Sequence, residues 1–522
     1  MGMVAPAVQI ASAAVVHFGS FGSVSLYAHQ RGVSRQRVYR ESCGLIVALE
    51  GTAHQQQIDV LHQEIATLRQ QLAEDERRLA QSVLLDADRQ AEFACTAQAD
   101  GVSLAVARRL LAVFLGEQTP SVAKLGRWTK AAGAKAGALL SVLDAVSATR
   151  VSQAVTDEIY VGGQPVLMVV EPESLCWQSG RLAEHADGAS WAEELRPLTA
   201  LVQITRDAGT GMGKGIKQVN GERQAQQHAP LRDQLDHFHT LREGQRALRH
   251  QRTRAQRALT KAEEAQRELD RAARQGRSQA GLATVAAKAW RRAEACLDNW
   301  TEQERAWKQV QEGVRLFTPL GELNSRTQAN AVLAMALPRL TGAEWAKTKR
   351  LLLRPETFTF LDRVHEELAA APVPAELRQA AVDCEGLRRH PELLSNDDPA
   401  SAARRGVLLV LSSLLALAGL PGEAAVTAVR AILRQAWRAS SLVENVNSVV
   451  RMQQARHRNL TQGLLDLKRL YWNCRPFEAG RRKNQSPYGH LGVTWPRQRW
   501  WELIKLTPEQ LTLELSTRKE AA

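Results

Sequence analysis

The sequence predicts a multi-domain, mainly α chain: an N-terminal helix-turn-helix and coiled coil, followed by an α/β core interrupted by a large helical insertion. Three observations lead there. The chain has 522 residues, too many for one compact core. Apolar residues recur at helical spacing over most of its length. The β-rich runs are confined to residues 155–171 and 198–205, with helical pattern on either side.

Residues 1–50 form the expected helix-turn-helix, carried by SVSLYAHQRGVSRQRVYR at 23–40. A short helix ends at Gly32 and a tight turn follows. Ser34 then caps a second helix bearing Arg35, Gln36, Arg37 and Arg40. Ala28, Gly32, Val33 and Val38 fall where such a unit needs a small residue, a turn glycine and two core residues. Its second helix enters the major groove, where Arg and Gln pair bidentately with base edges. An ordinary helical hairpin carries the same short pattern. Residues 51–90 are a coiled-coil helix: Ile58, Leu61, Ile65, Leu68, Leu72 and Leu79 follow steps of three and four, with only Asp75 breaking the seam. The seam either joins two copies or packs within the monomer.

Residues 91–150 are a second helical DNA-binding region. Thr119 is its expected N-cap, with Pro120 at the first helical position. Lys124, Arg127, Lys130 and Lys135 follow. Residues 151–240 open the core: two β runs flank a Gly162-Gly163 turn, Trp191 to Arg196 is helical, and Leu198 to Thr205 is a strand leading into Asp207. Residues 241–435 are the helical insertion, where Trp290, Trp300 and Trp307 are expected to hold two long antiparallel helices together. The most apolar stretch, Val407 to Leu420, is shorter than the roughly 20 residues a bilayer demands and reads as a buried helix. Residues 436–522 complete the core: Ala439 to Leu470 is one helix by pattern, and a basic tail spans 475–497.

Lys and Arg number 68 against 55 acids, a net charge of +13. Such an excess suits a polyanionic partner, because cations that neutralise phosphates release condensed counterions. The six cysteines, Cys43, Cys95, Cys176, Cys296, Cys384 and Cys474, form no CxxC pair, which argues against structural zinc and a disulfide framework. A reducing cytoplasm is the natural compartment. The N-terminus has no basic n-region, so no signal peptide and no membrane partner are expected. GTGMGK lacks the spacing and the Ser or Thr of a phosphate-binding loop, so no NTP site is expected.

Three acids carry the expected chemistry. Asp157 lies in the first β run beside Glu158, and strand alternation sends the two side chains to opposite faces; Asp157 is preferred. Asp207 follows a strand and precedes a glycine-rich turn that leaves room for a ligand. Glu444 lies on a helix with Asn447 one turn on, and Arg451, Arg456, His457 and Arg458 beyond. Carboxylates with nearby cations suit a site where hard Mg²⁺ meets a DNA backbone.

The order DEIYVGGQPV, RDAGTGM, DHFH, SSLVENVNSVVR, GLLDLKRLYWN and PYGHLGV resembles bacterial insertion-sequence transposases with an RNase H-like DDE core and an all-helical insertion. The resemblance covers about residues 150–495. It implies that Asp157, Asp207 and Glu444 bind Mg²⁺ or Mn²⁺, as two ions, with Asn447 and Arg451 beside Glu444. Asp236 and His239 match an auxiliary element of these families, and Asp236 is the rival to Asp207 as second acid. Lys214, Arg451, Arg456 and Arg458 fall where DNA backbone is expected. The implied activity is metal-dependent cleavage at transposon ends and strand transfer into target DNA, by a homodimer or higher oligomer on double-stranded DNA, in a bacterial cytoplasm close to the nucleoid. A nuclease without strand transfer and a non-catalytic DNA-binding regulator are the alternatives.

Overall fold

The computed structural model describes residues 6–50, 53–81, 85–390, 399–454, 460–495 and 499–516. The chain is mainly helical with one small mixed sheet of five strands. It divides into two compact units, Met1–Arg89 and Gln90–Ala522.

In the first unit, helices Pro6–Phe18, Ser23–Gln30 and Arg35–Glu50 pack together. Gly32 takes a positive φ of 64° at the turn, a conformation that glycine reaches without Cβ strain. Ala28 and Val38 are buried, and the Arg37 amide donates to the Ser34 hydroxyl as expected for a cap. The buried Glu41 carboxylate ties the three helices, accepting from the Ser12 hydroxyl at 2.8 Å and from Arg31 and Arg37. The fourth helix, Ala53–Gln81, is exposed at every position from 57 to 77, its apolar seam included. Within the first unit, Ile58, Leu61, Ile65, Leu68 and Leu72 of the seam stand exposed, and Leu79 lies outside the side chains described.

The second unit is built on strands β1 (Gln153–Val161), β2 (Gln164–Val170), β3 (Trp177–Leu182), β4 (Gln203–Arg206) and β5 (Arg232–Leu235), in the order β3-β2-β1-β4-β5. β1, β2 and β3 are antiparallel neighbours, and Gly162 and Gly163 turn the first hairpin with φ of 59° and 87°. β4 and β5 run parallel to β1. Both faces of the sheet are covered, so β2 reads as an unbroken apolar run. Ala154, Leu167, Val169 and Ile204 meet helices Gly188–Leu195 and Thr210–Ala225 on one face. Val155, Ile159, Val166 and Met168 meet Val443, Val446 and Val450 of helix Val443–Gln454 on the other.

The glycine-rich run opens helix Thr210–Ala225 and serves close packing: a Cβ on Gly215 would stand 2.7 Å from that of Trp191. After β5 comes an antiparallel helix pair, His237–Arg274 and Ala280–Gly313, which together with the helices that follow builds a separate hydrophobic core. Trp307 is buried in that core and lies across Gly244, with Trp345 beside it at 5.3 Å between ring centroids.

Four expectations are corrected. β4 is only Gln203–Arg206, because Leu198 and Leu201 pack into the core from a turn. Helix Val122–Ala148 is capped by Ser121, which accepts from the Lys124 amide at 3.2 Å, so Pro120 precedes the helix. Ala439 to Leu470 is not one helix: Val443–Gln454 ends, Leu460 and Thr461 are non-helical, and Thr461 caps Gln462–Cys474. Val407 to Leu420 is not buried: in helix Pro399–Leu417 only one edge, including Leu415, faces the core, and Val407, Val410, Leu414 and Leu417 stand exposed. By length and composition alone, Val122–Ala148 and Ala400–Leu417 are apolar enough to cross a membrane. The first is a core helix, packed against Gln462–Cys474 where Gly133 meets the Gly463 backbone.

Candidate functional site

β1 outruns β4. Their pairing ends at Val155 opposite Thr205, so Asp157 and Glu158 project beyond the parallel neighbour at the end where Asp207 follows β4. Asp207 follows the carboxyl end of β4, and Asp157 lies mid-way along β1 where its parallel ladder has ended, beside a reversal of strand order, which is where open α/β sheets place ligands. Alternation puts Asp157 on the face of Val155 and Ile159, toward helix Val443–Gln454. Asp157 Oδ2 accepts from Asn447 Nδ2 at 2.6 Å, and its Oδ1 accepts from the Glu158 amide. Glu158 faces the other side, toward the turn after β4: Glu158 Oε1 lies 3.6 Å from where a Gly209 Cβ would stand, and Asp207 Oδ1 lies 2.8 Å from it.

Asp207 therefore sits beside both neighbours. Burial, opposed by the hydrogen bond from Asn447 and raised further by Asp207, pushes the Asp157 carboxyl up to about 6. Burial and the charges of Asp207 and Asp157 push Glu158 up to about 7. Three half-buried carboxylates thus lie close enough to repel one another, two of them on opposite faces of β1, and all offer oxygen donors alone. That donor set fits a hard divalent cation. Among the described residues, no three His, Cys, Asp or Glu side chains already stand close enough to enclose an ion.

The loop that carries Asp207 is held rigidly. Arg206 is buried, grips Asp233 through Nε at 2.8 Å and Nη2 at 2.6 Å, and donates to the Asp207 carbonyl at 2.9 Å. The Gly209 amide donates to Asp207 Oδ1 at 2.8 Å, closing an Asx turn.

Asp236 is almost fully buried and its carboxylate is committed. It caps helix His237–Arg274 by accepting from the Phe238 amide at 2.7 Å, and it accepts from Ser440 Oγ at 2.6 Å and from His239 Nδ1. Burial pushes Asp236 up, but the hydrogen bonds from His239 and Ser440 outweigh it and hold it below the usual aspartate range. The same bond, together with the charges of Asp236, Asp157 and Asp207, raises the His239 imidazole. His239 is thus a partly exposed cation-former turned toward the acid cluster.

Glu444 lies one turn before Asn447, but its carboxylate pairs with Arg451 at 2.7 Å. No described contact joins it to Asp157 or Asp207. Lys214 is exposed on helix Thr210–Ala225. Arg35, Gln36 and Arg40 are exposed on the second helix of the N-terminal unit, while Arg37 is paired with Glu41 at 3.2 Å. Arg456 and Arg458 lie outside the described residues. Glu158 is the residue that alternation set aside. Its signal is the unpaired edge of β1, which depends on where β4 stops.

Compared with protein-family models, with characterised proteins and with solved structures, the chain returns no match. The reading of the site rests on its own geometry.

Proposed function

We propose that the chain is a DDE-type DNA transposase built on an RNase H-like core, acting on double-stranded DNA as a homodimer or higher oligomer. The observation that carries this reading is the hydrogen bond between Asp157 and Asn447. It brings the helix of Glu444 to Asp157, just past the end of the β1–β4 ladder where Asp207 also lies, as the resemblance to insertion-sequence transposases requires. A mixed sheet with β1 at its centre, and a helical insertion between the second acid and the Glu helix, support the same reading.

In it, Asp157, Asp207 and Glu444 are the residues that would hold two Mg²⁺ or Mn²⁺ ions, whose chemistry would be to activate a water or 3′-hydroxyl and to offset charge on the leaving oxygen. The Glu444–Arg451 pair is half-exposed, and pairs of that kind contribute about 0.2–1 kcal/mol, so Glu444 is readily released. Glu158 is the alternative third acid, because its carboxylate already lies beside Asp207. Asn447 orients Asp157. Asp236 fixes the His239 ring, leaving Nε2 to contact the scissile phosphate. Lys214 and Arg451 contact flanking backbone. The N-terminal unit reads transposon ends through Arg35, Gln36 and Arg40, and the protein works in a bacterial cytoplasm at the nucleoid.

Purified protein with Mg²⁺ is expected to nick DNA at a transposon end and to join a pre-cut 3′ end to a target plasmid. Asp157→Asn and Asp207→Asn abolish both while DNA binding survives. Glu444→Gln against Glu158→Gln identifies the third acid. Joining that persists in Asp157→Asn overturns the assignment. Cleavage without joining of pre-cut ends favours a nuclease, and binding without cleavage favours a regulator.

A further inference from the structure

The insertion carries a charged surface that the acid site does not account for. Along helix His237–Arg274, the residues His239, Arg242, Arg246, Arg249, His250, Arg254, Arg257 and Lys261 fall within an arc of about 140° at 100° per residue. The buried face of the same helix, with Gly244, Ala247, Leu248, Gln251, Ala255 and Ala258, points away from them. The basic face lines two surface concavities. One holds His239, Arg242, Arg246 and Arg249, and so starts at the residue that faces the acid cluster. The other is a groove of about 610 Å³ in which Arg254, Arg257 and Lys261 meet Lys288 and Arg292 of the antiparallel helix Ala280–Gly313.

Among the described residues, none of Arg242, Arg246, Arg249, Arg254, Arg257, Lys261, Lys288 and Arg292 meets a carboxylate. The one acid in the first concavity, Glu243, is occupied by Lys347 at 3.0 Å. Beyond Lys261 the same face becomes mixed, with Glu264 and Glu268 alternating with Arg267 and Arg271. The uncompensated stretch therefore has a beginning at the acid site and an end. From His239 to Lys261 it is about 33 Å long at 1.5 Å per residue, roughly ten base pairs of duplex at 3.4 Å each. Eight like charges in shallow grooves repel one another unless a polyanion lies along them.

We infer that this face is a track for the phosphate backbone of duplex DNA, leading about ten base pairs away from the acid site. The inference rests on the DNA-transposase reading and adds the path of the flanking duplex. The track reads charge and spacing, not bases, since its cations lie in open grooves on a single helix pair.

The test is fluorescence-anisotropy titration of the full-length protein against a salt series, with a 30-base-pair and a 5-base-pair duplex. The variant is R246A/R249A/R254A/R257A, all at exposed positions, with circular dichroism and Tm matching the parent. Each phosphate contact adds about 0.9 to the slope of log K against log salt, so the variant is expected to lose about 2 to 4 from its slope on the long duplex. On the short duplex the variant and the parent are expected to coincide. Replacement of the same four residues by lysine is expected to restore most of the slope. An unchanged slope on the long duplex, with binding otherwise intact, overturns the track and leaves the transposase reading standing. Absence of DNA binding by the parent overturns both. A slope lost on single-stranded RNA but kept on duplex DNA overturns the choice of partner.

Discussion

Asp157 and Glu158 show how the site is tuned residue by residue. Free aspartate and glutamate ionise near 4. Here burial and the charge of Asp207 move Asp157 to about 6 and Glu158 to about 7. A carboxyl raised on folding adds nothing below pH 4, where both states are protonated, and penalises the fold as pH rises through 6 and 7. Thermal unfolding of the metal-free protein should therefore show Asp157→Asn level with the parent at pH 4 and more stable at pH 8, by about 1–2 kcal/mol after solvent screening. Equal Tm values at both pH values would remove the repulsion. Glu41 gives the opposite sign. Hydrogen bonding to Arg31 holds it at about 2, so the helix cluster it ties should weaken as pH falls from 4.5 toward 2, followed by circular dichroism of an acid titration. The place of Asp207, between a strand and a glycine-bearing turn, was legible in the sequence because that pattern is local. The burial of Asp236 was not, since its partner Ser440 lies 204 positions away.

Single elements show where periodicity suffices and where it fails. The 29-residue helix Ala53–Gln81 was legible because its seam repeats over several turns. Its exposure gives the seam a partner to find: Ile58 and Ile65 at a positions with Leu61 and Leu68 at d favour two parallel strands. In that register a parallel dimer would bring Glu64, at a g position, against an Arg69 at an e position across the seam. Ile65→Lys is expected to halve the mass measured by sedimentation equilibrium, while a mass equal to the parent's would reject the seam as the dimer contact. Helix Pro399–Leu417 shows the failure. Its apolar run reads as core, yet burial depends on which neighbours arrive, and only one edge receives any. The antiparallel pair lies between these cases. The tryptophans announced a contact, but only the fold reveals that Trp307 occupies the space a Cβ on Gly244 would need. Gly244→Ala is expected to cost about 1–3 kcal/mol through overpacking, despite the helix propensity of alanine. Denaturant unfolding would measure it, and a neutral result would mean the ring moves aside.

At the scale of the whole molecule, the acid cluster lies entirely within the second unit, and the three-helix cluster tied by Glu41 lies entirely within the first. On the proposed function, recognition and chemistry are separable. Deleting residues 1–89 should leave Mg²⁺-dependent nicking of plasmid DNA but remove preference for transposon ends over random sequence, scored by mapping nick positions. Preference that survives the deletion would move end recognition into the second unit.

The contact between Asp157 and Asn447 spans 290 positions. A ribosome adding 5–20 residues per second reaches Asn447 about 15–60 s after Asp157. Throughout that interval the chain has β1 and its acids but not the helix whose Asn447 holds Asp157, so on the proposed function a nascent chain has no assembled site with which to cut DNA. On the proposed function, chains stopped by a frameshift between β5 and Asn447 would stay in that condition permanently, holding DNA ends through the first unit without moving them, and so would act as repressors.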